Sequence, residues 1–234
     1  MNEVRDLGRF RRIATGVAMI ATAPVVLVSV AIKPSDDSSQ AGDVLANLSS
    51  HAAAMEASLA LGLVAIALLI PATLGLLRIA QQRSPILALV GASLTLLGWV
   101  ALTGQQVLGE ATLVMATSPD RAAMAALYDQ IGNSNLITVV QVMFIVGHVV
   151  GIAILGIAVA RSQVAPMWIG IVLVVSGPLH FLAHGLNLGP LDLGAFALLV
   201  LGYAAGGVVL IRMKGETANN VFSQAPAVAS VQAS

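Results

Sequence analysis

The sequence predicts an all-α polytopic membrane helix bundle with six transmembrane helices and both termini cytoplasmic. Three observations carry that prediction. The 234 residues are 58% hydrophobic and only 9% charged, with a mean hydropathy of +0.93, whereas a soluble domain carries roughly 25% charged residues. Six apolar runs, at 13–32, 52–77, 85–108, 136–160, 166–185 and 191–211, reach the ~20 residues that cross a hydrocarbon core. The positive charges are segregated: Arg5, Arg9, Arg11, Arg12, Arg78, Arg83, Arg161, Arg212 and Lys214 fall at one membrane face, and Lys33 and Arg121 at the other. Short loops rich in Lys and Arg stay cytoplasmic. The chain therefore divides into a cytoplasmic segment 1–12, a transmembrane domain 13–211 and a flexible cytoplasmic tail 212–234.

The first run follows an Arg-rich start and contains Ala21-Thr22-Ala23, a triplet like a signal cleavage site. The apolar run continues past it, and Pro24 would follow the cut, so the segment reads as an uncleaved helix. The outer loop 33–50 carries Pro34, Asp36, Asp37 and Asp43 among Ser and Gly, and is expected to be polar and flexible. The second run holds Glu56 near its outer end and Pro71 in its inner half. The third begins at Pro85 and runs outward into Gln105, Gln106 and Glu110. The outer loop 109–135 predicts one short helix with Ser118 as N-cap, Pro119 in the first turn and Gly132 as its stop. Its apolar residues would let it lie on the membrane, either as a lid or as an inert amphipathic connector.

The fourth run carries Gly147 and Gly151 around His148, and the sixth carries Gly202 and Gly206. Such G-x-x-x-G stripes allow close backbone approach, either within one chain or between the chains of an oligomer. In the fifth run, Gly177-Pro178 predicts a kink beside His180, because proline removes a backbone donor and clashes with the preceding turn. Asp192 follows Pro190 at the start of the sixth helix, where a carboxylate suits the positive end of the helix dipole. A shift of 81 residues aligns Leu74-Gly75, Pro85 and Gly104 with Leu155-Gly156, Pro166 and Gly185, suggesting a parallel repeat of a two-helix unit.

Composition also removes chemistries. With Cys 0 there is no disulfide, thiolate metal site or cysteine nucleophile. A net charge of zero gives no reason to expect nucleic-acid binding. Walker, nucleophile-elbow, dinucleotide and H-E-x-x-H signatures are missing, so no catalytic residue is assigned.

Ionisable side chains inside a membrane face a protein interior or a water-filled cavity and mark function by default. His148 lies 13 residues from Arg161 and His180 lies 14 from Pro166, so at 1.5 Å per residue both stand roughly 20 Å from the inner end. His184 shares a face with His180 one turn further out. Trp99 is level with His148, while Gln105, Gln106, Glu110, Gln141 and Glu56 extend the polar set outward. The inner half of every span is almost purely apolar apart from Thr73 and Pro71. These residues describe an outward-facing pocket closed below by hydrocarbon.

Three chemistries suit His148, His180 and His184. Neutral imidazoles ligate a transition metal, with two ligands supplied by one helix turn. Histidines on two helices clasp a haem. Imidazoles also relay protons or hold a polar solute, as in a small carrier. The leading expectation is a metal or haem site with a redox or sensing role in the plasma membrane. The alternatives are a carrier or permease component that binds a small molecule or ion, and a non-catalytic membrane partner in which the histidines are structural. The H-x-x-x-H pair resembles that of membrane zinc hydrolases, but the sequence shows no carboxylate level with it, and their activity is not carried over.

The run Arg161-Ser-Gln-Val-Ala-Pro-Met-Trp168, joining a Gly-rich helix to the next, resembles a junction in uncharacterised six-helix membrane proteins of bacteria, particularly actinobacteria. The resemblance spans the second to sixth helices in layout. It implies a bacterial plasma membrane and no established activity.

Overall fold

The computed structural model describes residues 2–34, 38, 40–186 and 188–213, with side chains from residue 7 onward. The side chain of Arg5, the acidic Asp36 and Asp37, Lys214 and the tail 215–234 lie outside the described residues. All regular structure among those residues is helical: α1 (Asn2–Ile32), α2 (Ala41–Ser50), α3 (Ala52–Ala80), α4 (Pro85–Thr117), α5 (Arg121–Gly132), α6 (Asn135–Ile145), a π-helical turn (Val146–Gly151), α7 (Ile152–Arg161), α8 (Met167–Gly185) and α9 (Gly189–Arg212). The six helices long and apolar enough to cross a membrane are α1, α3, α4, the continuous α6–π–α7 rod, α8 and α9. The chain is a multi-pass membrane protein.

These spans form a closed ring. Around it, α1 packs on α3, α3 on α4, α4 on the α6–π–α7 rod, α7 on α8, α8 on α9 and α9 back on α1. Six crossings bring both described chain ends to one end of the bundle, where Arg12 donates to the Met213 carbonyl (2.7 Å) and ties the start of α1 to the end of α9. We call this the termini end, and the opposite one the capped end. Prolines open three of the helices where the sequence placed them, Pro85 and Pro190 in the first turns of α4 and α9 and Pro166 directly before α8, since a first-turn residue has no intrahelical acceptor to lose. The interior prolines Pro24, Pro71 and Pro178 all lie within continuous helices.

Both glycine stripes are used inside the chain. A Cβ on Gly98 would come within 3.1 Å of the Gly147 and His148 backbone, and one on Gly151 within 3.0 Å of Thr95 and Leu94, so α4 and the π turn touch backbone to backbone. Gly202 receives the Leu173 side chain from α8, and Gly206 those of Leu76 and Met19. These faces are covered within the chain and are not left over for an oligomer.

The capped end departs from the sequence reading in two places. Loop 33–50 is not polar and flexible throughout: residues 41–50 form α2, which buries Val44, Leu45 and Leu48 against Met55, Leu59 and Leu113. Those apolar positions recur at three- and four-residue spacing, a helical period that the surrounding Ser and Asp obscured. The third span continues as helix to Thr117, beyond the expected end at 108. The short helix of the second loop exists as α5, but its N-cap is Asp120, whose side chain accepts from the Ala123 amide (3.1 Å), and not Ser118. Met124, Ala125, Tyr128 and Ile131 of α5 pack into the same satellite core as α2.

Candidate functional site

A cavity of about 300 Å³ opens in the capped half, and all six spans line it. Its floor is a polar knot between three helices. Thr73 donates its hydroxyl proton to the Leu69 carbonyl (2.8 Å). Having one proton, Thr73 Oγ1 must then accept both from the Trp99 indole (3.0 Å) and from the Tyr203 hydroxyl (3.0 Å). Every hydroxyl and ring N–H in the knot is satisfied, as burial in a membrane requires. Thr73, Trp99 and Tyr203 are all buried and bind α3, α4 and α9 together below the cavity. The sequence marked Thr73 and Trp99 but not Tyr203, whose partners lie on other helices.

Above this floor stand the histidines. His148, 2% exposed, projects from the π turn, with Trp99 edge-on (ring centroids 5.6 Å) and Phe144 stacked on it (5.2 Å). A π turn inserts one residue relative to an α-helix and so changes the direction of every side chain beyond it; such bulges recur at functional sites. His148 and His180 meet at 4.9 Å in a T-shaped contact, and Phe196 covers both, 5.9 and 4.8 Å away. The Nδ1 atom of His148 is enclosed without a hydrogen-bond partner. His184 lies one turn toward the capped end, its ring stacked 6.3 Å from that of His180, and is exposed.

The partner of His180 is Asp192: imidazole Nδ1 and carboxylate Oδ1 share a hydrogen bond. Asp192 does stand in the first turn of α9, where the sequence reading put it; what is corrected is the expectation that the histidines lack a level carboxylate. The reason is the tight α8–α9 connection, in which Leu188 donates back to the Ala183 carbonyl (2.9 Å). Residues a similar number of positions before and after that turn end at one height, so His180 faces Asp192 across the helical hairpin. Counting outward from the turn would have found the pair in the sequence.

Of the other sequence candidates, Gln105, Gln106 and Gln141 line the cavity. Gln105 Nε2 is enclosed without a partner, and Gln106 lies flat across Gly62, where a Cβ would meet its amide at 2.6–2.9 Å. Glu56 and Glu110 are exposed and do not line the cavity. Lys33 does, at the end of α1, and was missed together with Phe144, Phe181 and Phe196. Phe144 stands one turn before His148 and Phe196 one turn after Asp192, spacings present in the sequence whose common face is decided by the rotation of the helices.

Among the described residues no group of three or more His, Asp or Glu is arranged to hold a metal ion. The rings of His148 and His180 touch, leaving no slot between them for a macrocycle. In the neutral imidazole, Nδ1–H donated to Asp192 leaves the lone pair on Nε2 of His180. The site thus offers an acceptor at His180 and an amide donor at Gln105 inside an aromatic and aliphatic wall.

Residues 14–213 match a domain family of unknown function, DUF4386. The chain belongs to the DUF4386 family. The match begins within α1 and ends just after α9, so it covers all six spans and the whole cavity of this DUF4386 protein. No curated protein and no solved structure matches the chain.

Proposed function

We propose that this multi-pass membrane protein binds one small, partly apolar molecule in the cavity, holding its polar group with His180, oriented by Asp192, and with His148 and Gln105. The carrying observation is His148: a ring 98% removed from solvent whose Nδ1 has no protein partner. An unpaired buried polar atom costs roughly 1–3 kcal/mol, and a ligand that pairs with it recovers that cost. The volume, about 300 Å³, stands at the lower end of the range for small-molecule pockets, roughly 300–1,000 Å³. Such a pocket serves a carrier or a sensor equally well.

The orientation follows the charges. Arg9, Arg11, Arg12, Arg78, Arg83, Arg161 and Arg212 belong to the termini end, and Lys33 and Arg121 to the capped end, which supports cytoplasmic termini in a plasma membrane and a cavity facing outward. A metal remains the second reading for one reason: a carboxylate on Nδ1 is how metal-bound imidazoles are commonly oriented.

Native mass spectrometry of the protein purified in mild detergent tests the proposal. The expected result is a retained small-molecule mass that is lost in His148→Ala and His180→Ala. Identical bound species in wild type and both variants overturn it. Stoichiometric metal, or a Soret band, lost in His180→Ala replaces it with the metal or haem reading.

A further inference from the structure

The ring of helices is sealed on one side of the cavity and open on the other. On the α1–α3 side, Ser29 Oγ donates to the Ser58 carbonyl (3.0 Å) and Ser58 Oγ returns the bond to the Ser29 carbonyl (2.8 Å). This reciprocal clasp closes the seam at the level of the cavity. On the opposite side, α8 packs along α7 and reaches the π turn, where a Cβ on Gly177 would sit 2.9 Å from Val149 Cα. Beyond that point α6 packs along α4 and not along α8, the two meeting through the Phe144 and His180 rings (centroids 6.5 Å) at the base of the separation. No described residue of α6 is buried, and Phe181, which lines the cavity from α8, is 58% exposed. Gln141 lines the cavity from α6 and is exposed as well. The separation is a seam in the side wall of a transmembrane bundle, and in a bilayer it faces lipid.

The geometry points to lateral entry: a membrane-dissolved amphiphile with one compact hydroxyl head passes between α6 and α8, lays its chain along the apolar wall and places its head at His180 and Gln105. This rests on the binding-pocket reading above and names its ligand class. A hydroxyl fits because it both donates and accepts. It donates to Nε2 of a neutral His180 whose Nδ1–H is held by Asp192, and accepts from the otherwise unpartnered Gln105 amide. Phe144 and Phe181 on the two sides of the seam present apolar faces to a hydrocarbon chain.

The test uses the full chain in lipid nanodiscs and a C18 alcohol carrying a chain diazirine and an alkyne, with labelled peptides mapped by mass spectrometry. Cavity-facing peptides of α6 and α8 are expected to label saturably, with unlabelled alcohol competing at least tenfold less well in His180→Ala. The native chain has no cysteine, so Gln141→Cys/Phe181→Cys provides one defined pair, bridged with bismaleimides of graded length and verified by mass. Bridging is expected to reduce saturable labelling at least tenfold against the same unbridged protein. Failure to bridge at any length, or unchanged labelling after bridging, overturns the lateral route. Saturable labelling by a C4 homologue but not by the C18 probe leaves the pocket standing and overturns the amphiphile. No saturable labelling by either probe removes both.

Discussion

Near the chain termini, glycines draw neighbouring helices into backbone contact: Gly16 lies against Gly207 between α1 and α9, and Gly156 against Gly170 between α7 and α8. At the capped end α8 does not pack along α6 but meets it through the Phe144 and His180 rings (centroids 6.5 Å), and Gln105, Gln106 and the aromatic rings around two histidines line the space between the helices. The termini half contains Leu76, Ile79, Leu155, Leu173 and Leu210, all fully buried, whereas α6 in the capped half buries none of its described residues. One set of helices therefore makes a packed plug at one end and a cavity at the other. Helix divergence is set by where small residues sit. Gly156 against Gly170 and Gly177 against Val149 hold α8 on the rod, and the wedge between the two opens beyond Gly177 toward the capped end.

Substitutions in the two halves are expected to fail differently. The largest effect is expected at the pinch between α4 and the π turn. Gly147→Leu drives a side chain into the Gly98 and Leu94 backbone, where overpacking costs about 1–3 kcal/mol or more, and should abolish the monodisperse folded peak in size-exclusion chromatography. Gly189→Ala, with open space around its Cβ position, should elute as wild type. Equal behaviour of the two would show that the close approach is not what holds the rod.

Thr73→Val comes next, because it orphans both the Trp99 indole and the Tyr203 hydroxyl at the cavity floor. At roughly 1–3 kcal/mol for each unsatisfied group, thermal unfolding should fall by several degrees. Tyr203→Phe, which removes one donor and leaves Thr73 and Trp99 paired, should cost only about 1 kcal/mol. A reversed order would mean that the knot is not the shared floor described above.

Leu45→Ala should open the cap without opening the plug. Leu45 is buried in the satellite core, and such truncations cost about 2–5 kcal/mol, charged here to a local unit. Hydrogen exchange should accelerate in α2 and α5 while α3 and α9 stay protected; uniform acceleration would show one cooperative core. The smallest stability change is expected inside the cavity. Gly62→Ala displaces the Gln106 amide, and should shift the unfolding temperature little while weakening retention of any bound molecule several-fold. A loss of stability with unchanged retention would put Gln106 in the scaffold.

The contrast was partly legible in the sequence. His148, His180 and Trp99 were placed in one layer, with the three glutamines outward of it, by counting residues along helices, and the apolar half opposite them announced the plug. What counting could not supply was rotation. The π turn inserts a residue that fixes where His148 points, and nothing in Val146–Gly151 distinguishes it from an ordinary small-residue stripe. The pairing of Asp192 with His180 was missed for a related reason: it depends on the short turn that lays α9 against α8.

Hydrophobic length and charge asymmetry by themselves determined that this chain crosses the membrane six times and that its polar residues gather toward one side, since both properties are sums over sequence and survive any arrangement of the helices. Only the tertiary structure decided that His180 pairs with Asp192, that both glycine stripes are spent within the chain, and that a seam stands open between α6 and α8. Those outcomes depend on which helix faces which, and that is fixed by side-chain packing between segments far apart in sequence.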